Sequence, residues 1–411
     1  MRLTFLADLR SPIAVQWIRY FLERGHDVQA ISSYPVADNA LPNAEITSLP
    51  LVLAGRGRAS YPQQPEQPGG PSIQSGLGKW VTPQRVSAVR NSIGPALVRV
   101  KRRRLQSLVE RHRPDLVHAM RIPFEGIAAR ELTGLPLIVS VWGNDFTLHA
   151  RRTRMMAAAT RRTLATAAVL HCDCNRDARI AREWGYPADQ PIWEIPGNGG
   201  VDRSVFHPGG SSARARFGIP QEATVILNPR GIREYVRTDT FFSALPPVLR
   251  EFPKVHVVCP GMAGSRHAES IITNAGLDRN RIHLLPVLEH RLMADIFRMS
   301  RVSVSLSEHD GTPNTLLEAM ACGTLPIVGD VASVREWVCD GVNGLVTSSL
   351  CPEVVSGALI RSIRDDNLVR VAREENERLI KDRADYDANM LYVESEYEML
   401  VKSASAGETE L

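Results

Sequence analysis

Several features that would settle a protein's class at a glance are missing from this sequence. Cysteine is scarce, with six in 411 residues (Cys172, Cys174, Cys259, Cys322, Cys339, Cys351). They form no C-x-x-C pair and no zinc-finger spacing, which argues against a structural zinc module and fits core thiols in a reducing cytoplasm. No apolar run reaches the roughly 18–20 residues that a membrane span needs. The opening MRLTFLADLR has no basic stretch before its apolar run, so it reads as a first strand rather than a signal peptide. No G-x-G-x-x-G joins a strand to a helix, which disfavours a dinucleotide oxidoreductase. No DxD-like metal element stands at a strand end. Lysine is nearly absent, 5 against 44 arginines, a bias of base composition rather than of function.

What is present is a soluble, globular balance: 44% hydrophobic and 23% charged residues. The length suits two domains of about 150–200 residues each. The net charge of +4 hides an asymmetry: residues 1–200 carry 26 basic against 16 acidic side chains, and the remainder 23 against 29. A basic first half points to an anionic partner there.

Both halves alternate short β-rich runs with helix-period runs. RLTFLA (2–7) is a strand, and residues 11–24 place Ile13, Ala14, Trp17, Ile18, Phe21 and Leu22 on one helix face before Gly25 stops it. Strand-like runs follow at 27–32, 115–120, 136–142, 168–173 and 191–196. The pattern restarts with strands at 224–228, 254–260, 281–286, 302–307 and 325–330, and with helices beginning near Asp239, His267, His290 and Pro313. Buried strands alternating with helices imply an α/β fold, two Rossmann-like doubly wound parallel-sheet domains facing a central cleft. Ligands of such sheets bind at the strand C-termini. The expected limits are 1–197 for the first domain, 198–383 for the second, 384–402 for a C-terminal helix crossing back to the first, and 403–411 for a disordered tail. The crossing helix rests on Tyr386, Met390, Val393 and Tyr397 at helical intervals.

Two segments break the rhythm. Residues 54–78 are rich in Gly, Pro, Gln and Ser and read as a flexible insertion. Residues 85–113 read as a long basic helix holding Arg99, Lys101, Arg102, Arg103 and Arg104. It is either a solvated face or a contact for an anion or a membrane surface.

The most informative run is 305–330, SLSEHDGTPNTLLEAMACGTLPIVGD. A strand enters a polar turn where Gly311 permits close backbone approach. Thr312 then reads as an N-cap and Pro313 as the first helical residue. A helix N-terminus at the C-terminal edge of a parallel sheet presents free N–H groups and a positive dipole end, a ready site for a diphosphate. Glu318 lies one turn inside that helix, within reach of ribose hydroxyls, and Asp310 precedes the turn, where a sugar beyond the phosphates would lie.

With these residues the sequence resembles the retaining glycosyltransferases of family 4, which have the GT-B fold. Their Glu-x7-Glu element, followed by a small-residue helix, Gly and a Pro-led strand, is similar to Asp310–Glu318 here, with Asp in place of the first Glu. VASVREWVCDGVNGLVT (331–347) and IPGNGGVDRSVFHP (195–208) resemble the family's continuation and interdomain segment. The resemblance implies that Glu318 holds the nucleotide ribose and that Asp310 contacts the donor sugar. It places the diphosphate on backbone groups of the turn Gly311–Thr312–Pro313–Asn314, near Thr315 and Leu316. It also implies an Arg and a Lys after the second domain's first strand. Arg230 matches the Arg; no Lys follows, and Arg237 or Arg233 takes the second cation's place. Arginine suits phosphate, because its planar fork binds two oxygens at once.

The first half departs further from the family. Its Gly-Gly loop is replaced by ADLRSPIAVQW, where Ser11 opens a helix able to take an anion or acceptor group. Its His-Gly-x-Asp reads Trp142-Gly143-Asn144-Asp145, so Trp142 is either a sugar platform or core. His118 ends a neighbouring strand and is either acceptor-side or packed. The implied reaction transfers a hexosyl or N-acetylhexosaminyl group, with retention, from a nucleoside diphosphate sugar to an acceptor hydroxyl. No cofactor and no metal is expected, because Arg230, Arg237 and the helix end stabilise the leaving group. The acceptor is unspecified, anionic or lipid-linked in one version, with peripheral contact at the inner membrane face; no nucleic acid is expected. A nucleotide-sugar epimerase or hydrolase and a non-catalytic nucleotide-sugar-binding protein stand as alternatives.

Overall fold

The computed structural model describes residues 1–37, 40–51, 83–233 and 235–409. The insertion expected at 54–78 lies outside the described residues. The chain divides into two compact units, residues 1–198 with 390–411, and 199–389.

The first unit is a seven-stranded parallel sheet of β1 (Arg2–Ala7), β2 (Asp27–Ser32), β3 (Glu45–Ser48), β4 (Leu116–Ala119), β5 (Leu137–Val141), β6 (Val169–Cys172) and β7 (Ile192–Glu194). The order is β3-β2-β1-β4-β5-β6-β7. The central strands are buried on both faces because helices cover both, and so they read as continuous apolar runs. β3, EITS, was not foreseen: an edge strand with one aliphatic residue carries no such run. The helix Pro12–Glu23 buries Ala14, Trp17, Ile18, Tyr20 and Phe21. Gly25, at φ 80°, lets the chain turn back into β2. The long basic helix spans Pro83–His112.

The second unit is a six-stranded parallel sheet of β8 (Thr224–Leu227), β9 (Val255–Pro260), β10 (Ile282–Leu285), β11 (Val302–Ser305), β12 (Leu325–Gly329) and β13 (Leu345–Thr347), in the order β10-β9-β8-β11-β12-β13. In each sheet the order reverses once, between β1 and β4 in the first and between β8 and β11 in the second. The crevice above such a reversal, at the strand C-termini, is where an open α/β sheet accepts a ligand.

The C-terminal helix, Tyr386–Thr409, buries Met390, Val393 and Tyr397 completely. Its residues from Met390 belong to the first unit: Tyr397 stacks on Phe21 at 4.8 Å, and Glu394 accepts from Tyr20 and pairs with His26. From 403, where a disordered tail was expected, the described residues continue this helix to Thr409.

Candidate functional site

The reversal in the second unit brings together the chemistry that the sequence singled out. β8 runs into Asn228-Pro229-Arg230, and β11 into Leu306–Asp310. The Arg230 guanidinium, 8% exposed, donates from Nη2 to Asp310 Oδ2 at 2.7 Å and from Nη1 to Thr315 Oγ1 at 3.3 Å. Its Nε is buried without a partner among the described residues. The Asn228 side chain receives the Arg230 backbone N–H at 3.2 Å and fixes the turn. Arg237 pairs with Glu308 at 2.5 Å, and its backbone N–H donates to Leu306 O at 3.1 Å. Two arginines are thus each held by one carboxylate of the same short loop. Arg233 donates to the Tyr235 hydroxyl at 3.2 Å.

The helix after the loop starts one residue later than expected, at Asn314, with Pro313 in the N-cap position at φ −71° and ψ 121°. Thr312 does not cap it; its hydroxyl accepts from Trp337 Nε1 at 3.1 Å. Nor is Leu316 a free donor, because its N–H bonds Pro313 O at 2.9 Å. Asn314 and Thr315 keep the helix N-terminal amides unspent among the described residues. Gly311 is buried, and Ser333 Oγ donates to Asp310 O at 2.7 Å, anchoring the turn from the following loop. Glu318, three residues past Thr315, shares its helix face and is 7% exposed. Its Oε1 accepts from His290 Nε2 at 2.9 Å. His290 was legible only as a helix start, since its place beside Glu318 comes from the packing of two helices.

Residues 12–192 match the family model described as Glycosyl transferase 4-like domain, and residues 211–381 match Glycosyl transferases group 1. Each half thus matches a glycosyltransferase family model. Curated relatives include D-inositol 3-phosphate glycosyltransferases: that of Geodermatophilus obscurus is 30% identical over 171 residues, and that of Kineococcus radiotolerans 28% over 192. These alignments span 39% and 42% of this chain, and only 38% and 44% of those relatives' lengths. The sucrose-phosphate synthase of Thermosynechococcus elongatus superposes over 98% of this chain and 100% of its own, with a TM-score of 0.73 at 15% identity. Anabaena HepE, solved in complex with UDP, covers 97% and 100%, with a TM-score of 0.70 at 14% identity. At such identities the likeness establishes the GT-B fold.

In the first unit the expected acceptor-side residues part company. Ser11 sits before the helix Pro12–Glu23, 1% exposed, with its hydroxyl unpartnered among the described residues. It lies just past β1, at this sheet's own reversal. Asp145 is 1% exposed and saturated: Oδ1 takes Arg121 at 2.5 Å, and Oδ2 takes the N–H groups of Ile122 and Trp142. Asn144 also accepts from Arg121, at 2.8 Å. These two residues therefore brace the loop after β4 rather than face an acceptor. Trp142 is 9% exposed, with Arg121 5.4 Å from its ring centroid and its Nε1 buried without a partner among the described residues.

His118 is fully buried and is packed, not acceptor-side. It belongs to one polar chain whose proton order is determined. His171 Nε2 must donate to Ile195 O, at 2.9 Å, so its Nδ1 accepts from Ser140 at 2.8 Å. Ser140 then accepts from His118 Nε2 at 2.7 Å, and His118 Nδ1 accepts from the Tyr397 hydroxyl at 2.5 Å. Tyr397 in turn accepts from Trp17 Nε1 at 3.3 Å. Burial holds the His118 pKa well below its ordinary value and pushes that of His171 down to about 4, so both rings are neutral.

Sequence reasoning also passed over Glu125. It is buried beside Ser33, which donates to it, and desolvation raises its carboxyl to about 7. It follows Phe124, whose φ of 70° and ψ of −58° mark a strained turn. Among the described residues one group has metal-ligand spacing: Asp173, Cys174 and Asp177, with ligand atoms within 4.8 Å. Arg176, bonded to Asp177 at 2.8 Å, already supplies positive charge there.

Proposed function

We propose that the chain is a retaining glycosyltransferase that moves a sugar from a nucleoside diphosphate sugar to an acceptor hydroxyl without a metal ion. The observation that carries the reading is the placement of Arg230, Asp310, Thr315 and Glu318 above the reversal of the group 1 sheet. Arg230 and Arg237 meet the diphosphate together with the Asn314 and Thr315 amides, and Glu318 takes the ribose one helical turn deeper. Charge building on the departing diphosphate is stabilised by donors already in position, so a divalent ion has no task left. Asp310 holds Arg230 and contacts the sugar. The departing phosphate oxygen accepts the acceptor's proton, a front-face substitution with retention. Solved neighbours titled with UDP and UDP-glucose make uridine nucleotides the first donors to test. The named substrate of the curated relatives, an inositol phosphate, makes a phosphorylated acceptor the first class to try against the basic domain.

The test incubates the purified chain with radiolabelled UDP-, GDP-, ADP- and dTDP-sugars and a panel of phosphorylated and neutral polyols. Label on an acceptor with the donor's anomeric configuration supports the reading. Release of free sugar or an epimerised donor would replace it with the hydrolase or epimerase alternative.

A further inference from the structure

We propose that His290 is the positioning residue for the ribose-binding carboxylate Glu318, and that its charge state couples donor affinity to pH. The inference rests on the donor-site reading above and adds a residue to it. His290 opens the helix His290–Met299, and its ring crosses to the neighbouring helix to put Nε2 2.9 Å from Glu318 Oε1. Phe206, 1% exposed, presses edge-on against the ring at 4.6 Å between centroids and fixes its orientation. With Oε1 held, Glu318 keeps Oε2 free of other partners among the described residues, set to receive ribose hydroxyls.

The charged groups facing His290 are Glu318, from the adjacent helix, and Asp202, from the segment that opens the second unit; both are acids. A helix N-terminus disfavours an imidazolium. The hydrogen bond to Glu318 outweighs that and the burial of the ring, and raises the His290 pKa above its ordinary value. More than half of its side chain still meets solvent, so protons can reach the ring. When it is protonated, the Glu318–His290 pair is neutral overall and does not repel an incoming diphosphate. When it is neutral, Glu318 stands as an uncompensated carboxylate beside an anionic ligand. Affinity for a nucleoside diphosphate consequently falls as pH rises through the His290 pKa.

The experiment titrates the wild type, His290→Gln and His290→Ala by calorimetry with UDP, GDP, ADP and dTDP from pH 6 to pH 8.5. Glutamine reproduces the Nε2 donor without the charge, and the diphosphate's own ionisation is common to every protein. At pH 6 the wild type should bind the preferred diphosphate about fivefold tighter than His290→Gln, converging at pH 8.5, and His290→Ala should be weaker than His290→Gln by the same factor, about tenfold, at every pH. Parallel pH profiles of wild type and His290→Gln, or wild-type affinity in His290→Ala, would overturn the assignment of His290 and leave the donor site standing. Failure of the wild type to bind any of the four would overturn the donor site and this proposal together.

Discussion

Arg230 Nη2 lies 2.7 Å from Asp310 Oδ2, and the two residues follow the two strands between which the sheet reverses. The pair is mostly buried, with side chains 8% and 16% exposed. Asp310 thereby holds a cation, in a fixed orientation, where a diphosphate would arrive. Arg237 is held in the same way by Glu308, whereas Arg233 has Tyr235. Steady-state kinetics should rank the alanine variants accordingly, with Arg230→Ala losing about 100-fold or more in kcat/KM. Arg237→Ala should fall between, and Arg233→Ala should stay within a few-fold of wild type. If Arg233→Ala were the most damaged, the clamp would be assigned to the wrong arginines.

Glu318 presents a carboxylate that is almost buried and, among the described residues, bonded on one oxygen only. A hydrogen bond from a ribose hydroxyl to a charged group is worth about 1.5–3 kcal/mol. Glu318→Ala should weaken nucleoside diphosphate binding by that amount in calorimetry, and unchanged affinity would remove Glu318 from the site.

Most of the candidate donor site could be proposed from the sequence because its residues lie close together along the chain. Asp310, Thr315 and Glu318 fall in one loop–helix segment whose turn and helix can be read locally, and Arg230 follows a strand marked by its own apolar run. The helix start slipped by one residue, since Thr312 spends its hydroxyl on Trp337, 25 residues away. His290 and the Arg237–Glu308 pair were less visible, because tertiary packing creates them. The acceptor side was hardest. Trp142-Gly143-Asn144-Asp145 looks like a motif, yet Asp145 is spent on Arg121 and two backbone amides. Glu125 owes its raised pKa to burial, which outweighs the lowering effect of the Ser33 hydrogen bond. Neither fact has a local signature. β3 and β13 escaped for the simpler reason that they are short edge strands.

The buried chain from Trp17 to Ile195 predicts histidines that do not titrate near neutrality. His118 and His171 are neutral in the native state, while in the unfolded chain they take up protons below about pH 6.5. Their contribution to stability is therefore fully present above that pH and is lost as pH falls toward about 4, the His171 value. Glu125 and Asp177 act in the opposite sense, their carboxyls being raised to about 7 and about 6, so the net acid profile is a poor test. NMR titration of the imidazole C–H signals isolates the histidines. Neither should shift between pH 8 and pH 5, and a midpoint near 6.5 for either would contradict the network.

Lys101, Arg102, Arg103 and Arg104 form a mostly exposed basic stretch on the helix Pro83–His112, and among the described residues Arg102 pairs with Glu131 at 3.5 Å; the Arg99 side chain lies outside the described residues. Each basic side chain close to an anionic bilayer contributes about 1 kcal/mol, screened beyond about 8 Å at physiological salt. Reversing residues 101–104 to Glu should abolish low-salt co-sedimentation with phosphatidylserine vesicles or raise the KM for an anionic acceptor several-fold. If the wild type ignores such vesicles and the KM does not move, the stretch is a solvated face.

The central claim is that the sheet reversal of the group 1 domain binds a nucleoside diphosphate through Arg230 and needs no metal. Calorimetric titration of the wild type and Arg230→Ala with UDP, GDP, ADP and dTDP, in excess EDTA, tests it most directly. The account predicts saturable binding of one diphosphate by the wild type and at least tenfold weaker binding by Arg230→Ala. Binding that appears only when Mg²⁺ or Mn²⁺ is restored, or equal affinity in the two proteins, would contradict it.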